Sequence, residues 1–388
     1  MTKENDLYLK LFEHYNDNPW LRAGYNDIIM EIYRETFTSE EAELALQLEF
    51  PEVLGGKGRM KTAAEIAAAV GKDEKEVTKM LDGMVIRCAV IKLEMEGQVL
   101  YSTMGFSTIC DAYQGVPADK IPGGSTDKAR KLGKLWTKYY GLGPDDNPAK
   151  GQIVEFSSDY PVQRVVPVQG STGDGKNDFP WEKLDYVLGN AQAITVVECP
   201  CRKRHAEFTG CDKPLEVTIC MDLLAMIYIQ NYGTKMLTKD EALELLKYGA
   251  DKGLISIVMN TQSGPGQVMN ICQCCTDCCN FVAPYVITAD PRSVSKSNFV
   301  PVRDAAKCKF SKECVDICPV GAIIYHAPYK IDRSDETLAI MEDRCLGCGL
   351  CVHHCSNDAL VMKKVHDRVP VETIPEMIRK FDEGRAFK

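Results

Sequence analysis

The stretch that most constrains this chain is Cys345-Leu346-Gly347-Cys348-Gly349-Leu350-Cys351-Val352-His353-His354-Cys355, which reads C-x2-C-x2-C-x3-C. Three thiolates spaced three residues apart on a tight turn converge on three corners of one metal cluster. Gly347 and Gly349 let the backbone fold closely and aim amides at the sulfurs. The fourth cysteine of such a run serves a second cluster, so another stretch must supply the missing corner of the first. That stretch lies upstream, at Cys308, Cys314 and Cys318. The two are halves of an internal repeat, each closing on a cysteine and an apolar run: Ala322-Ile323-Ile324 in one, Ala359-Leu360-Val361 in the other. A structural zinc site is the competing reading, but zinc needs no paired repeat.

Residues 299–362 resemble a bacterial two-cluster ferredoxin domain. The resemblance implies that Cys345, Cys348 and Cys351, with Cys318, hold one [4Fe-4S] cluster, and that Cys308, Cys314 and Cys355 hold a second. The remaining ligand position of the second falls at Ser311, where the family has cysteine. Serine substitutes poorly for a thiolate. A [3Fe-4S] cluster, a site-differentiated cube with oxygen at one iron, or a lost cluster are the options there. Ser356, where the family often has proline, is a milder departure.

The chain has 388 residues, enough for several domains. Sixteen of its 18 cysteines lie between Cys199 and Cys355. No charged-then-apolar leader opens the sequence, and the longest apolar run, residues 223–229, is too short to span a bilayer. A cytoplasmic location is therefore expected, where crowded thiols signal metal clusters rather than disulfides. So many oxygen-labile sites suggest an anaerobic setting. A net charge of −9 argues against nucleic-acid binding.

The expected class is a multidomain α+β or α/β protein. Its parts are a helical and winged-helix-like module (1–105), a cysteine-rich α/β domain (106–295), a dicluster ferredoxin domain (296–365) and a carboxy-terminal tail (366–388). Thr62 with Glu65 and Asp73 with Glu76 read as capping boxes of two helices that meet at Gly71. A hairpin about Glu96-Gly97 follows, and the whole resembles a winged helix. Lys72, Lys75 and Lys79 are offset by Asp73, Glu74, Glu76 and Asp82, so a structural or partner-docking module is favoured over DNA reading. Residues 162–169 read as a strand interrupted by Pro167. Residues 170–177 match G-x4-G-K but lack the following hydroxyl, so a polar loop is expected there. A helix is expected from Pro180 to Gly189.

Nine cysteines remain in the middle: Cys199, Cys201, Cys211, Cys220, Cys272, Cys274, Cys275, Cys278 and Cys279. Both main groups are expected in loops that follow strands, brought together by one scaffold. Neighbouring cysteines do not easily bind one iron, so Cys-Cys-x-x-Cys-Cys suits two clusters at once. At least one additional iron–sulfur cluster is expected here. The alternatives are zinc with bystander thiols, or thiol redox chemistry at Cys275 and Cys278. The basic run 202–205 is expected as a solvated surface turn, or else as a patch that offsets a cluster's negative charge, docks an acidic electron carrier or binds an anionic substrate, and His205 as a surface residue. Cys88 and Cys110 read as small buried hydrophobes. This region resembles the cysteine-rich part of large ferredoxin-like proteins of anaerobic bacteria. The leading function is single-electron transfer through ferredoxin-type clusters to or from a central metal site, with a redox partner protein. A reductase of a small substrate and a redox-sensing winged-helix regulator are the alternatives. No dinucleotide fingerprint is present.

Overall fold

The computed structural model describes residues 3–17, 22–52, 56–103, 126–147, 151–173, 175–176, 178–264 and 266–385. Cys110, Asp174 and Asn177 lie outside the described residues. The chain is a mixed α+β, multidomain protein. Five helices open it: α1 (Lys3–Asn16), α2 (Asp27–Thr36), α3 (Ser39–Ala45), α4 (Ala63–Val70) and α5 (Glu74–Ile86). Thr38 with Glu41 and Thr62 with Glu65 form reciprocal capping boxes. At α5 only half the expected box forms: Asp73 accepts from the amides of Lys75 and Glu76. Gly71 ends α4 in the left-handed region, at φ 67°. The antiparallel hairpin β1 (Ile91–Met95) and β2 (Gln98–Ser102) follows. A later helix, α6 (Thr126–Tyr140), carries Trp136, Tyr139 and Tyr140 into the core shared with Leu11, Ile29 and Tyr33. Truncating the fully buried Trp136 to alanine should cost about 3–5 kcal/mol.

The central domain contains β3 (Gln163–Val165), α7 (Leu184–Gly189), β4 (Ile194–Glu198), α8 (Pro200–Thr209), β5 (Glu216–Met221), α9 (Asp222–Tyr232), α10 (Lys239–Asp251), β6 (Ile255–Met259), β7 (Asn270–Cys274) and α11 (Ala283–Ile287). The strands form one sheet in the order β3-β6-β7-β5-β4, and every pairing is antiparallel. The sheet is therefore of the α+β kind, not the parallel α/β kind that helix–strand alternation suggests. The helix between β4 and β5 turns the chain back instead of carrying it across the sheet. Every residue of β6 is buried. Ile255 and Ile257 join the core facing the carboxy-terminal domain, and Val258 joins the opposite core with Leu184, Val187 and Leu246. The hairpin β1–β2 docks here, with Ile91 and Leu93 packed against Ile227 of α9.

Two expected elements differ. The strand of residues 162–169 shrinks to β3, because Pro167 removes a ladder donor. The helix from Pro180 breaks at Lys183, which is extended at φ −118° and ψ 124°, leaving a 3-10 turn (Pro180–Glu182) before α7.

The carboxy-terminal domain has β8 (Phe299–Arg303), α12 (Glu313–Asp316), β9 (Ile323–His326), β10 (Thr337–Ile340), α13 (Leu350–His353) and β11 (Leu360–Lys364). β8 pairs with β11 and β9 with β10, both antiparallel. The segment expected as a tail instead forms α14 (Ile374–Glu383), whose Met377, Ile378 and Phe381 pack against Val162 and Met259 of the central domain. Among the described residues, no helix is long and apolar enough to cross a membrane.

Candidate metal centres

The repeat of the sequence is a repeat in space. Each half ends in a one-turn helix, α12 or α13, followed by a cysteine and a strand. The Ala322 amide donates to Cys318 Sγ at 3.1 Å, and the Ala359 amide donates to Cys355 Sγ at 3.3 Å. The Gly347 amide donates to Cys345 Sγ at 3.3 Å. Such donors stabilise thiolate charge. Gly347 sits at φ 72°, and a Cβ there would lie 2.0 Å from Ser297 Oγ. Only glycine lets the loop close this tightly.

Cys318, Cys345 and Cys348 pack against one apolar core, with Leu346 and Leu350 inside it. Cys351 lies with Cys314, Ile323 and Leu360 in a neighbouring one. Burial pushes the Cys348 thiol up to about 12 and raises Cys345 and Cys351 as well. The charges that bear on Cys351 are those of Cys348, Cys345 and Cys318, in that order, followed by Cys314. Burial also raises Cys314, with Cys355 and Cys308 as its charged neighbours. Two sets of sulfurs thus face two places. Both donor sets suit soft thiophilic metal.

Ser311 lies at the rim of the second place. A small cavity of ≈ 20 Å³ is lined by Cys308, Ser311, Cys314, Leu338 and Cys355. Ser311 is exposed, and its hydroxyl donates to Glu313 Oε2 at 2.9 Å. The same carboxylate oxygen accepts from the Ser356 amide at 3.1 Å and the Ser356 hydroxyl at 2.8 Å. These bonds, those of Ser356 first, hold Glu313 below its usual range. Both departures from the ferredoxin pattern therefore meet at one acidic side chain.

In the central domain the cysteines come from four places: the β4–α8 junction, the α8–β5 loop, β5, and β7 with the turn after it. Cys272 and Cys274 lie inside β7, not in a loop beyond a strand as the sequence suggested. Cys199 precedes Pro200 at the start of α8. Cys211, Cys275 and Cys278 form a cysteine cluster of metal-binding geometry, their sulfurs all within 4.8 Å of one another. Cys211 Sγ is 3.7 Å from Cys275 Sγ, and Thr209 Oγ1 is 3.2 Å from Cys278 Sγ. Cys199 is buried with Cys275 and Cys278 in one small cluster. On the other side, Cys279 Sγ is 3.1 Å from Cys274 Sγ. Cys279 is the strongest influence on Cys201, and Cys272 adjoins Cys274. The neighbouring pairs Cys274-Cys275 and Cys278-Cys279 therefore split, one member to each group. Cys220 packs apart, with Val197 and Ala225. Cys88 is half-buried, its thiol 3.2 Å from the Tyr232 hydroxyl.

The basic run is not at the surface. Arg202, Arg204 and His205 are buried, at 0%, 2% and 0% exposure. Arg202 donates from Nη1 to Pro214 O at 2.5 Å and from Nη2 to Gln273 O at 2.9 Å. Burial opposes its charge, yet the sulfurs of Cys199 and Cys275 raise its pKa on balance. Arg204 lies over the Trp136 ring, 5.3 Å from its centroid. Burial, then Arg204, drives the His205 pKa well down, so the ring is neutral; its Nδ1 is 2.8 Å from Thr137 Oγ1. Sequence reasoning missed this because charged runs are usually solvated. The available signal was that α8 carries no apolar stripe, so its inward face had to be polar.

The two cysteine-rich regions are in direct contact. Cys274 and Cys279 belong to the same apolar core as Leu346 and Leu350, against which Cys318, Cys345 and Cys348 pack. The loop before Gly173 clamps this join: the Val168 amide donates to Cys348 O at 2.9 Å, and the Met362 amide to Ser171 O at 2.9 Å. That loop is the near-match to a phosphate loop, and it serves here as a domain contact. His353 Nε2 lies 2.6 Å from Asp251 Oδ1 of α10.

The 4Fe-4S dicluster domain family matches residues 300–369. A ferredoxin from Rickettsia felis is 37% identical over 85 residues, which is 22% of this chain and 66% of that ferredoxin. The chain thus spans just under two thirds of the length of that curated relative. No solved structure matches. Residues 300–369 form a ferredoxin-type iron–sulfur domain.

Proposed function

We propose that this protein transfers single electrons between ferredoxin-type clusters in its carboxy-terminal domain and a metal centre in its central domain. In this reading Cys345, Cys348, Cys351 and Cys318 hold a [4Fe-4S] cluster. Cys308, Cys314 and Cys355 hold a second, three-thiolate cluster beside Ser311. Cys201, Cys272, Cys274 and Cys279 hold a further iron–sulfur centre. Bound clusters supply one-electron storage, with potentials set by charge, hydrogen bonds and burial. The chain's own residues do the rest. Amides at Gly347, Ala322 and Ala359 steady the thiolates, and Leu346 and Leu350 exclude water from the join. Arg202 offsets thiolate charge from within.

The observation that carries this reading is the apolar core shared by Cys274, Cys279 and the loop of Cys345 and Cys348. It brings the two regions together with no solvent layer between. The amino-terminal helices and hairpin act as a winged-helix-like docking module, seated on α9 through Ile91 and Leu93. A redox partner protein in a reducing compartment completes the scheme. The test is flash reduction of the anaerobic full chain followed by absorbance. A fast uptake phase should be followed by a second, intramolecular phase that disappears in the Cys274→Ser/Cys279→Ser variant. An unchanged second phase in that variant would refute the relay.

A second reading, reduction of a small anionic substrate, is favoured by one feature. A cavity of ≈ 210 Å³ is lined by Tyr160, Arg164, Trp181, Lys296, Ser297 and Arg368. Ser297 donates to Gly347 O at 2.7 Å, so this cavity borders the Cys345–Cys348 loop. Substrate-dependent reoxidation of the reduced protein, lost in Arg368→Ala, would establish it.

A further inference from the structure

We infer that Cys211, Cys275 and Cys278, with Cys199 as fourth donor, form a site for one tetrahedral thiophilic ion, zinc or iron, and not for an iron–sulfur cube. This deepens the proposed function: it assigns the outer half of the central cysteines, while the inner half keeps the redox centre.

The argument begins with size. A tetrahedral ion bound at ~2.3 Å per sulfur sets its ligands roughly 3.8 Å apart. Cys211 and Cys275 are 3.7 Å apart, and all three sulfurs fall within 4.8 Å. A cube seats each thiolate on a different iron, and each is pushed outward by its own metal–sulfur bond, so its ligands stand much further apart. The same structure supplies the comparison. Among the described residues, no three cysteines of the ferredoxin domain meet the 4.8 Å condition, and neither do three of Cys201, Cys272, Cys274 and Cys279. The outer triad alone is drawn in tightly enough for a single ion.

Local construction agrees. Cys275-Thr276-Asp277-Cys278 has the C-x2-C spacing of a metal knuckle, and the Cys278 amide bonds back to the Cys275 sulfur. Cys211 closes the third side from the loop after Gly210, which ends α8 at φ 73°. Cys199, buried at 7% exposure, is the one other buried thiol of the same cluster. Four thiolates on one dication carry a net negative charge. Arg202, fully buried and set against Cys199 and Cys275, offsets part of it. Such a site is closed on all four sides. It ties α8, the α8–β5 loop and the turn after β7 together, holding the inner cysteines in place.

The experiment uses the full chain, purified anaerobically, with zinc, iron and acid-labile sulfide counted per chain. In the Cys211→Ser/Cys278→Ser variant, loss of one zinc or one iron with unchanged sulfide is expected. Loss of a cube's worth of iron and sulfide together would overturn the inference. Should that variant fail to fold, the wild type decides. A zinc X-ray absorption spectrum with an all-sulfur shell supports the site, as does the high-spin ferric EPR signal of a lone tetrathiolate iron. The absence of both overturns it. The sulfide count of the inner centre is read separately, so failure here leaves the relay standing or falling on its own test.

Discussion

Replacing Gly349 by alanine tests how the ferredoxin-type domain is joined to the rest. Gly349 sits at φ 78°, and a Cβ would lie 2.5 Å from Ser171 Oγ and 3.1 Å from the Val168 amide nitrogen. The left-handed backbone costs an alanine about 1–2 kcal/mol. Pushing the 168–171 loop away also breaks the Val168 bond to Cys348 O and strains the Met362 bond to Ser171 O, both 2.9 Å. Each contributes about 1 kcal/mol. The total is therefore about 3–4 kcal/mol. Gly321 provides the control: φ is 60°, and the nearest atom to its Cβ is the flexible Arg344 side chain at 3.8 Å. Gly321→Ala should carry the backbone cost alone. The remaining difference of about 2 kcal/mol corresponds to roughly thirtyfold in the docked-to-open ratio. Anaerobic bleaching of the visible iron–sulfur absorbance by a chelator reports that opening. Gly349→Ala should bleach more than tenfold faster than Gly321→Ala. Equal rates would refute the clamp.

Glu155 is half-buried, and desolvation pushes its pKa from 4.5 to about 7, against the Gly24 amide at 2.6 Å and the Tyr139 hydroxyl. A raised folded-state pKa gives stability that is full below the ordinary carboxylate range and lost as pH rises through about 7. Urea unfolding followed by Trp136 fluorescence should thus weaken by about 2–3 kcal/mol between pH 5 and 8, and Glu155→Gln should flatten that slope. Ser311→Cys should convert the second ferredoxin-domain cluster to an ordinary cube, removing an oxidised-state EPR signal; two ordinary cubes in the wild type would contradict the three-thiolate reading. The α4–α5 module should not bind duplex DNA at physiological salt, because Lys72 already faces Glu40 and Glu76 at 3.7 Å and Lys92 faces Asp82 at 2.8 Å; tight, salt-dependent binding would overturn this.

The parts of the structure legible in the sequence are those written in local chemistry. The box at Thr62, the turn at Gly71 and the hairpin about Glu96-Gly97 are short-range signals, and they form as read. The repeat halves ending at Cys318 and Cys355 are local too, each closing on a cysteine and a short apolar strand. What escaped depends on the far side of each element. Alternation of helix and strand does not say whether a helix crosses the sheet or turns back, so the antiparallel order stayed hidden. Arg202 and His205 look solvated until β7 and α6 close over them. Cys272 and Cys274 sit in a strand because β7 is sandwiched between β5 and β6, which no local pattern around them specifies. The division of Cys274 from Cys275 follows from chain geometry. Its result, one tight triad and one looser group, required the positions of Cys211 and Cys201.

The most direct test of the account is the EPR spectrum of the fully reduced full chain. Reduced clusters across the shared core of Cys274, Cys279, Leu346 and Leu350 should couple magnetically. Their signals should be broadened and split, and they should collapse to a simple ferredoxin spectrum in Cys274→Ser/Cys279→Ser. A wild-type spectrum that is the plain sum of isolated ferredoxin clusters, unchanged by that variant, would contradict electron exchange between the two domains.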